Sequence, residues 1–103
     1  MAYKIIWSPA AVEDINSIAE YIARDSPQYA SAVVGKFLDI SRKLNQFPFS
    51  GRTVPELDDA MIREHFVYSY RLIYRIQEQI ITIAAVIHGK RSIVNLTERF
   101  KAH

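Results

Sequence analysis

Residues 61–89 read MIREHFVYSYRLIYRIQEQIITIAAVIHG, and this run decides the fold. β-Branched and aromatic side chains fill 61–67, 70–77 and 80–88, with only Tyr68-Ser69 and Glu78-Gln79 between them. Such composition favours strands. Two-residue breaks leave room only for tight turns, so the three strands are expected as an antiparallel meander. The stretch 80–87 is apolar at odd and even positions alike, as in a central strand covered on both faces, and Gly89 ends it. Strand alternation puts Arg63 and His65 on one face and Glu64 on the other. In the next strand Arg71 and Arg75 lie opposite Tyr70, Leu72, Tyr74 and Ile76.

Upstream, the period changes. Residues 3–7 form a short β-branched and aromatic run, read as a first strand. Ser8-Pro9 then supplies an N-cap and a proline at the first helical position. Ala11, Ile15, Ile18 and Ile22 follow at helical spacing. Ser26-Pro27 repeats the start signal, and Ala30, Val33, Val34, Phe37, Leu38, Ser41 and Leu44 form the next helix's apolar side. Two helices so close in sequence make an antiparallel hairpin. Residues 47–55 (FPFSGRTVP) read as a loop, and Ser92 as the cap of a short last helix over 93–100. The expectation is an α+β fold of order β-α-α-β-β-β with that C-terminal helix. An N-terminal strand and helical hairpin pack on an antiparallel sheet, in one domain spanning 1–103. Hairpin and sheet each hide the other's apolar face.

The 103 residues are half hydrophobic, 23% charged and free of cysteine. That fraction excludes a disordered tail, and the missing thiols exclude disulfide and thiolate chemistry. No apolar run nears the roughly 20 residues that span a bilayer. The start MAYKIIWSPAAVEDI lacks a signal-peptide pattern, so a soluble cytoplasmic protein without membrane partners is expected. Charge is uneven. Residues 1–60 carry six basic and eight acidic side chains, whereas 61–103 carry seven basic and three acidic. Five of those seven are arginines, which suits an anionic partner, either nucleic acid or an acidic protein surface.

His65, His88 and His103 show no metal-ligand spacing, and Gly35, Gly51 and Gly89 are isolated rather than part of a phosphate loop. Neither a metal nor a cofactor is expected. Metal-free cleavage of RNA needs a base, an acid and cations on the developing phosphorane charge. Candidates are His65, His88, Glu64, Arg63, Arg71 and Arg91. Glu64, beside Arg63 and Arg71, reads more readily as an ion-pair member than as a base.

Several short motifs then combine. They are WSPAAVEDI at 7–15, YIARDSP at 21–27, FPFSGR at 47–52 and Pro55-Glu56, then IRE at 62–64, YRLIYRI at 70–76 and VIHGKR at 86–91. In this order the chain resembles the toxins of the ParE/RelE superfamily of bacterial toxin–antitoxin modules, and within it the ParE-type plasmid stabilisation proteins. The resemblance implies a helical hairpin on an antiparallel sheet. It also implies a toxin that inhibits DNA gyrase and is held in a hetero-oligomer by a ParD-like antitoxin; the RelE branch instead cleaves ribosome-bound mRNA. The arginines of the RelE-type signature match Arg71 and Arg91, but its two lysine positions hold Ile62 and Glu64, and its tyrosine position Thr97. A carboxylate repels the phosphate that a lysine would hold. The expectation is therefore a binding toxin rather than an enzyme, with mRNA cleavage through Arg71, Arg91 and His65 or His88 as the alternative. Expected target contacts are Arg63, Arg71, Lys90, Arg91, Arg99 and Phe100. Expected antitoxin contacts are Trp7, Ile18, Tyr21, Ile22, Val34 and Leu38. Direct nucleic-acid binding is compatible with this reading but not required by it.

Overall fold

The computed structural model describes residues 2–89 and Arg99. The elements run β1 (Lys4–Trp7), α1 (Pro9–Ala23), α2 (Pro27–Lys43), β2 (Arg52–Thr53), β3 (Ile62–Val67), β4 (Tyr70–Gln77) and β5 (Ile80–His88). Both helices begin where the Ser-Pro pairs put them. The Ser8 hydroxyl accepts the Ala11 N–H at 3.1 Å, and Ser26 accepts that of Tyr29 at 3.1 Å. Each such cap is worth about 1 kcal/mol.

One sheet holds all five strands in the order β1-β5-β4-β3-β2. The meander β3-β4-β5 is antiparallel as read from its turns. The sheet as a whole is mixed, because β1 lies parallel to β5, with Lys4 opposite Ile80 and Trp7 opposite Ile83. The hairpin carries the chain from one sheet edge to the other, and the meander then returns to end beside β1. β2 falls within the stretch read as a loop. Two residues are too few to show a period, and they pair with Glu64 and Arg63 of β3.

The hairpin covers one face. Ala11, Val33, Phe37 and Leu44 pack there with Leu72, Tyr74, Ile76, Ile81, Ile83 and Val86. A fully buried side chain of this size contributes about 1.5–3 kcal/mol. This layer, far more than the caps, holds hairpin to sheet. Along α2 the inward positions are Ala30, Val33, Phe37, Ser41 and Leu44, while Val34 sits at the rim and Leu38 is exposed. Val54, Ile62, Ile73 and Ala85, with Leu57 and Ile87, form a smaller cluster on the other face. The apolar run of β5 thus has two causes. Both faces are covered, and a register shift pairs Ile73 with Ala85 but Tyr74 with Ile83, leaving Ala84 as an extra residue. The inward parity changes there, from Ile81 and Ile83 to Val86. The short helix expected over 93–100 lies outside the described residues, except for Arg99.

Gly51 sits where β2 approaches β3. A Cβ there would come 2.6 Å from the Glu64 carbonyl oxygen and 2.7 Å from the Tyr74 hydroxyl. At Gly35, within α2, a Cβ meets nothing within 4 Å. In urea unfolding, Gly51→Ala is expected to destabilise by about 1–3 kcal/mol, whereas Gly35→Ala should stabilise by about 0.5–1 kcal/mol.

Candidate functional site

Alternation along β3 and β4 sorts the polar side chains onto two faces. Glu64 and Arg71 share the outer face with Ile73, away from the helices. Glu64 lies between Arg52 of β2 and Arg71 of β4. Its carboxylate has no exposed surface, and each oxygen accepts from one arginine: Oε2 from Arg52 Nε at 2.6 Å, Oε1 from Arg71 Nε at 2.6 Å. Arg71 then turns its remaining edge to Glu56, with Nη1 donating at 2.9 Å and Nη2 at 2.8 Å. Only 5% of the Arg71 side chain is exposed, against 46% for Glu56. A lone buried carboxylate costs several kcal/mol in lost hydration. The forked guanidinium answers that by holding two carboxylates at once. The Arg71 hydrogen bonds hold the Glu56 carboxyl below its ordinary value, and Glu56 in turn pushes the guanidinium up.

The inner face carries the histidines. His65 stacks on Tyr74 with ring centroids 6.2 Å apart and shares a 2.8 Å hydrogen bond with the Ser50 hydroxyl. Burial pushes its pKa down from 6.5. Tyr74 donates to the Pro48 carbonyl and accepts the Gly51 N–H, so the loop after α2 is fastened to the middle of the sheet. His88 pairs with Tyr70 across β4 and β5, its ring edge-on to the tyrosine at 5.7 Å. Because Tyr70 and Tyr74 face the helices, both histidines are separated from Arg71 by the sheet itself.

The remaining expected contacts divide similarly. Arg63 donates to the carbonyls of Ala60, Phe49 and Gly51, and lies 5.0 Å over the Phe49 ring. Arg99 grips Asp14 of α1 at 2.7 and 3.2 Å and the bulged Ala84 carbonyl at 3.0 Å. Asp14 also accepts the Val86 N–H. Lys90, Arg91 and Phe100 lie outside the described residues. Of the expected antitoxin contacts, Trp7, Ile18 and Ile22 pack against the core, and Val34 lines a groove between the helices with Ala19, Ala23 and Ala30. Tyr21 and Leu38 are exposed. Arg52 and Glu56 were not singled out from sequence. Both reach the site from the segment between α2 and β3, and the only signal was their place in the FPFSGR and Pro55-Glu56 motifs. Among the described residues no three His, Asp or Glu side chains converge as metal ligands, and no helix is long and apolar enough to cross a membrane.

Comparison with known proteins fits this geometry. The family model of the ParE toxin of type II toxin–antitoxin systems, parDE, matches residues 5–93. The chain belongs to this family. No curated protein sequence matches it. Among solved structures, it resembles one from the chromosomal ParDE system of P. aeruginosa, with TM-score 0.71, 17% identity and coverage of 86% of this chain and 98% of that one. A mutant of the E. coli toxin RelE, in the free state, gives TM-score 0.66 at 13% identity, covering 96% and 94%. The RelBE2 toxin–antitoxin complex of Mycobacterium tuberculosis gives 0.55 at 24%, covering 85% and 99%. These likenesses show the fold: two helices on a five-stranded mixed sheet.

Because burial lowers the His65 pKa in the folded state, the unfolded chain binds its proton first. The stability His65 contributes is whole above about pH 6.5 and is lost as pH falls through the folded-state value. A fall in urea midpoint from pH 7 to pH 5 that shrinks in His65→Gln, together with an NMR-titrated His65 pKa below 6.5, is expected.

Proposed function

We propose that this type II toxin acts by binding DNA gyrase and trapping it on DNA, and that an antitoxin of the ParD kind neutralises it. The observation that carries this reading is the buried Glu64. It occupies a position where a RelE-type nuclease holds a lysine, and both of its oxygens are committed to Arg52 and Arg71. A cleavage site needs cation, base and acid around one phosphate. Arg71 has carboxylates on two sides, and His65 and His88 stand across the sheet from it. Inhibition by binding needs no such convergence. It needs a complementary surface, and the basic second half of the chain supplies the charge. Within the single domain 1–103, the proposed target contacts are Arg63, Arg71, Lys90, Arg91, Arg99 and Phe100. Of these, Arg71 and Arg99 also carry ion pairs within the fold. For the antitoxin, an amphipathic helix on the hairpin suits exposed Tyr21 and Leu38 and the groove at Val34, with Trp7, Ile18 and Ile22 as the layer beneath.

Purified chain added to gyrase and supercoiled DNA is expected to give enzyme-linked DNA breaks, and no codon-dependent mRNA cuts with translating ribosomes. Lys90→Gln/Arg91→Gln should abolish the breaks at unchanged melting temperature. Ribosome-dependent cuts without gyrase-linked breaks would replace this reading with the nuclease one.

A further inference from the structure

The residues on either side of Ser50 have their backbone tied down. Ser50 N–H donates to the Phe47 carbonyl, and Gly51 N–H to the Tyr74 hydroxyl. The Pro48 carbonyl accepts from Tyr74, and those of Phe49 and Gly51 accept from Arg63. A Cβ at position 51 would collide with Tyr74 and with the β3 backbone, so this close approach needs a glycine. What the frame presents is an exposed hydroxyl. Ser50 Oγ lies 2.8 Å from His65 Nε2. The His65 ring is half-buried and stacked on Tyr74, 15° from parallel, which fixes the plane in which Nε2 points. Hydroxyl and imidazole are thus held together by the fold itself, the arrangement from which an intramolecular proton transfer gains its rate.

Both groups open into a pocket of about 200 Å³, whose other walls are Ile40, Lys43 and Phe47. A serine hydroxyl at hydrogen-bond distance from an imidazole is the nucleophile and base of acyl transfer. Burial lowers the His65 pKa, so the ring is neutral at pH 7, and with its proton on Nδ1 its Nε2 can take one from Ser50. The walls select the substrate. Ile40, Phe47 and the aliphatic stem of Lys43 suit a short apolar acyl chain. The Lys43 ammonium brings a cation to the charge that develops on the carbonyl oxygen. A phosphoryl group would need cations on several oxygens at once, and Arg63, beside this loop, is committed to three carbonyls. The amides of Ser50 and Gly51 are both engaged and cannot form an oxyanion hole, so turnover is slow.

We propose that Ser50 and His65 form a second site, on the opposite face of the sheet from the Arg71–Glu64 network, that hydrolyses esters of short apolar acids. Ser50 Oγ attacks the ester carbonyl and forms a C–O bond while its proton passes to His65 Nε2. The bond to the alcohol then breaks, and the alcohol leaves with that proton. Water attacks the acyl carbon and gives a proton to Nε2, which returns it to Ser50 as the carboxylic acid departs. The probes are p-nitrophenyl butyrate for turnover and a fluorophosphonate for labelling, each with the full chain at pH 7. Nitrophenol release above that of Ser50→Ala is expected, with a fluorophosphonate label that peptide mapping places on Ser50. His65→Gln should slow both reactions about 100-fold, the lower end of what a general base supplies. Circular dichroism checks that both variants fold, and mapping on the unaltered chain needs neither. A label on Lys43, on a tyrosine or nowhere, release no faster than that of Ser50→Ala, or unchanged rates in His65→Gln overturns this second site. Gyrase inhibition is unaffected by any of these outcomes.

Discussion

A carboxylate with no exposed surface has to be neutralised where it stands, and Glu64 is that carboxylate. Two arginines do it from neighbouring strands, one on each side. Arg52 thereby holds the two-residue β2 to the sheet edge, where backbone pairing alone is slight. Arg71 ties β4 to β3 and reaches on to Glu56, so the segment after β2 is fastened over the outer face. Both arginines are structural in the strict sense that removing either leaves Glu64 short of a partner in a dry place. Loss of Arg71, buried together with Glu64, costs about 3–5 kcal/mol; loss of the half-exposed Arg52 costs less, because solvent screens that pair and Arg71 remains.

The sheet then acts as a partition. Its inner face holds the helical hairpin, the aromatic column of Tyr70 and Tyr74, and both histidines of the meander. Its outer face holds the arginine–glutamate network. Arg71 and the two histidines, which acid–base chemistry on one phosphate would have to bring together, are kept a sheet's thickness apart, and Arg63, on the face of His65, is committed to the carbonyls of Phe49, Ala60 and Gly51. This separation supports the proposed binding mode over cleavage through Arg71 and a histidine of the meander. Arg99 repeats the theme at the other edge. It is bound to Asp14 and to the bulge at Ala84, so Arg99 bridges α1 and β5.

Much of this was legible in the residues. Ser8-Pro9 and Ser26-Pro27 state their helix starts because a cap and a proline act locally. The runs 70–77 and 80–88 match β4 and β5 because their turns are too short for anything but hairpins. What the sequence did not show depends on encounters between distant segments. β2 exists only because the chain after α2 passes β3. The parallel pairing of β1 depends on which edge the meander ends at. The bulge at Ala84 is concealed in a run where every residue is apolar. For the site, adjacency suggested that Glu64 and Arg71 meet, but Arg52 and Glu56 come from a loop with no period to read. On α2 the apolar stripe is wider than the buried one, so Leu38 reads as core yet is exposed.

The most direct test of this account is a double-mutant cycle on the central pair, with Glu64→Met, Arg71→Met and both together compared by urea unfolding. Each single change should cost about 3–5 kcal/mol, because it strands a buried charge. The double change should cost far less than their sum, giving a coupling of about 2 kcal/mol or more. Costs that add to within about 0.5 kcal/mol would mean that the two side chains stabilise the fold independently, and that Glu64 is not what fixes Arg71 in place.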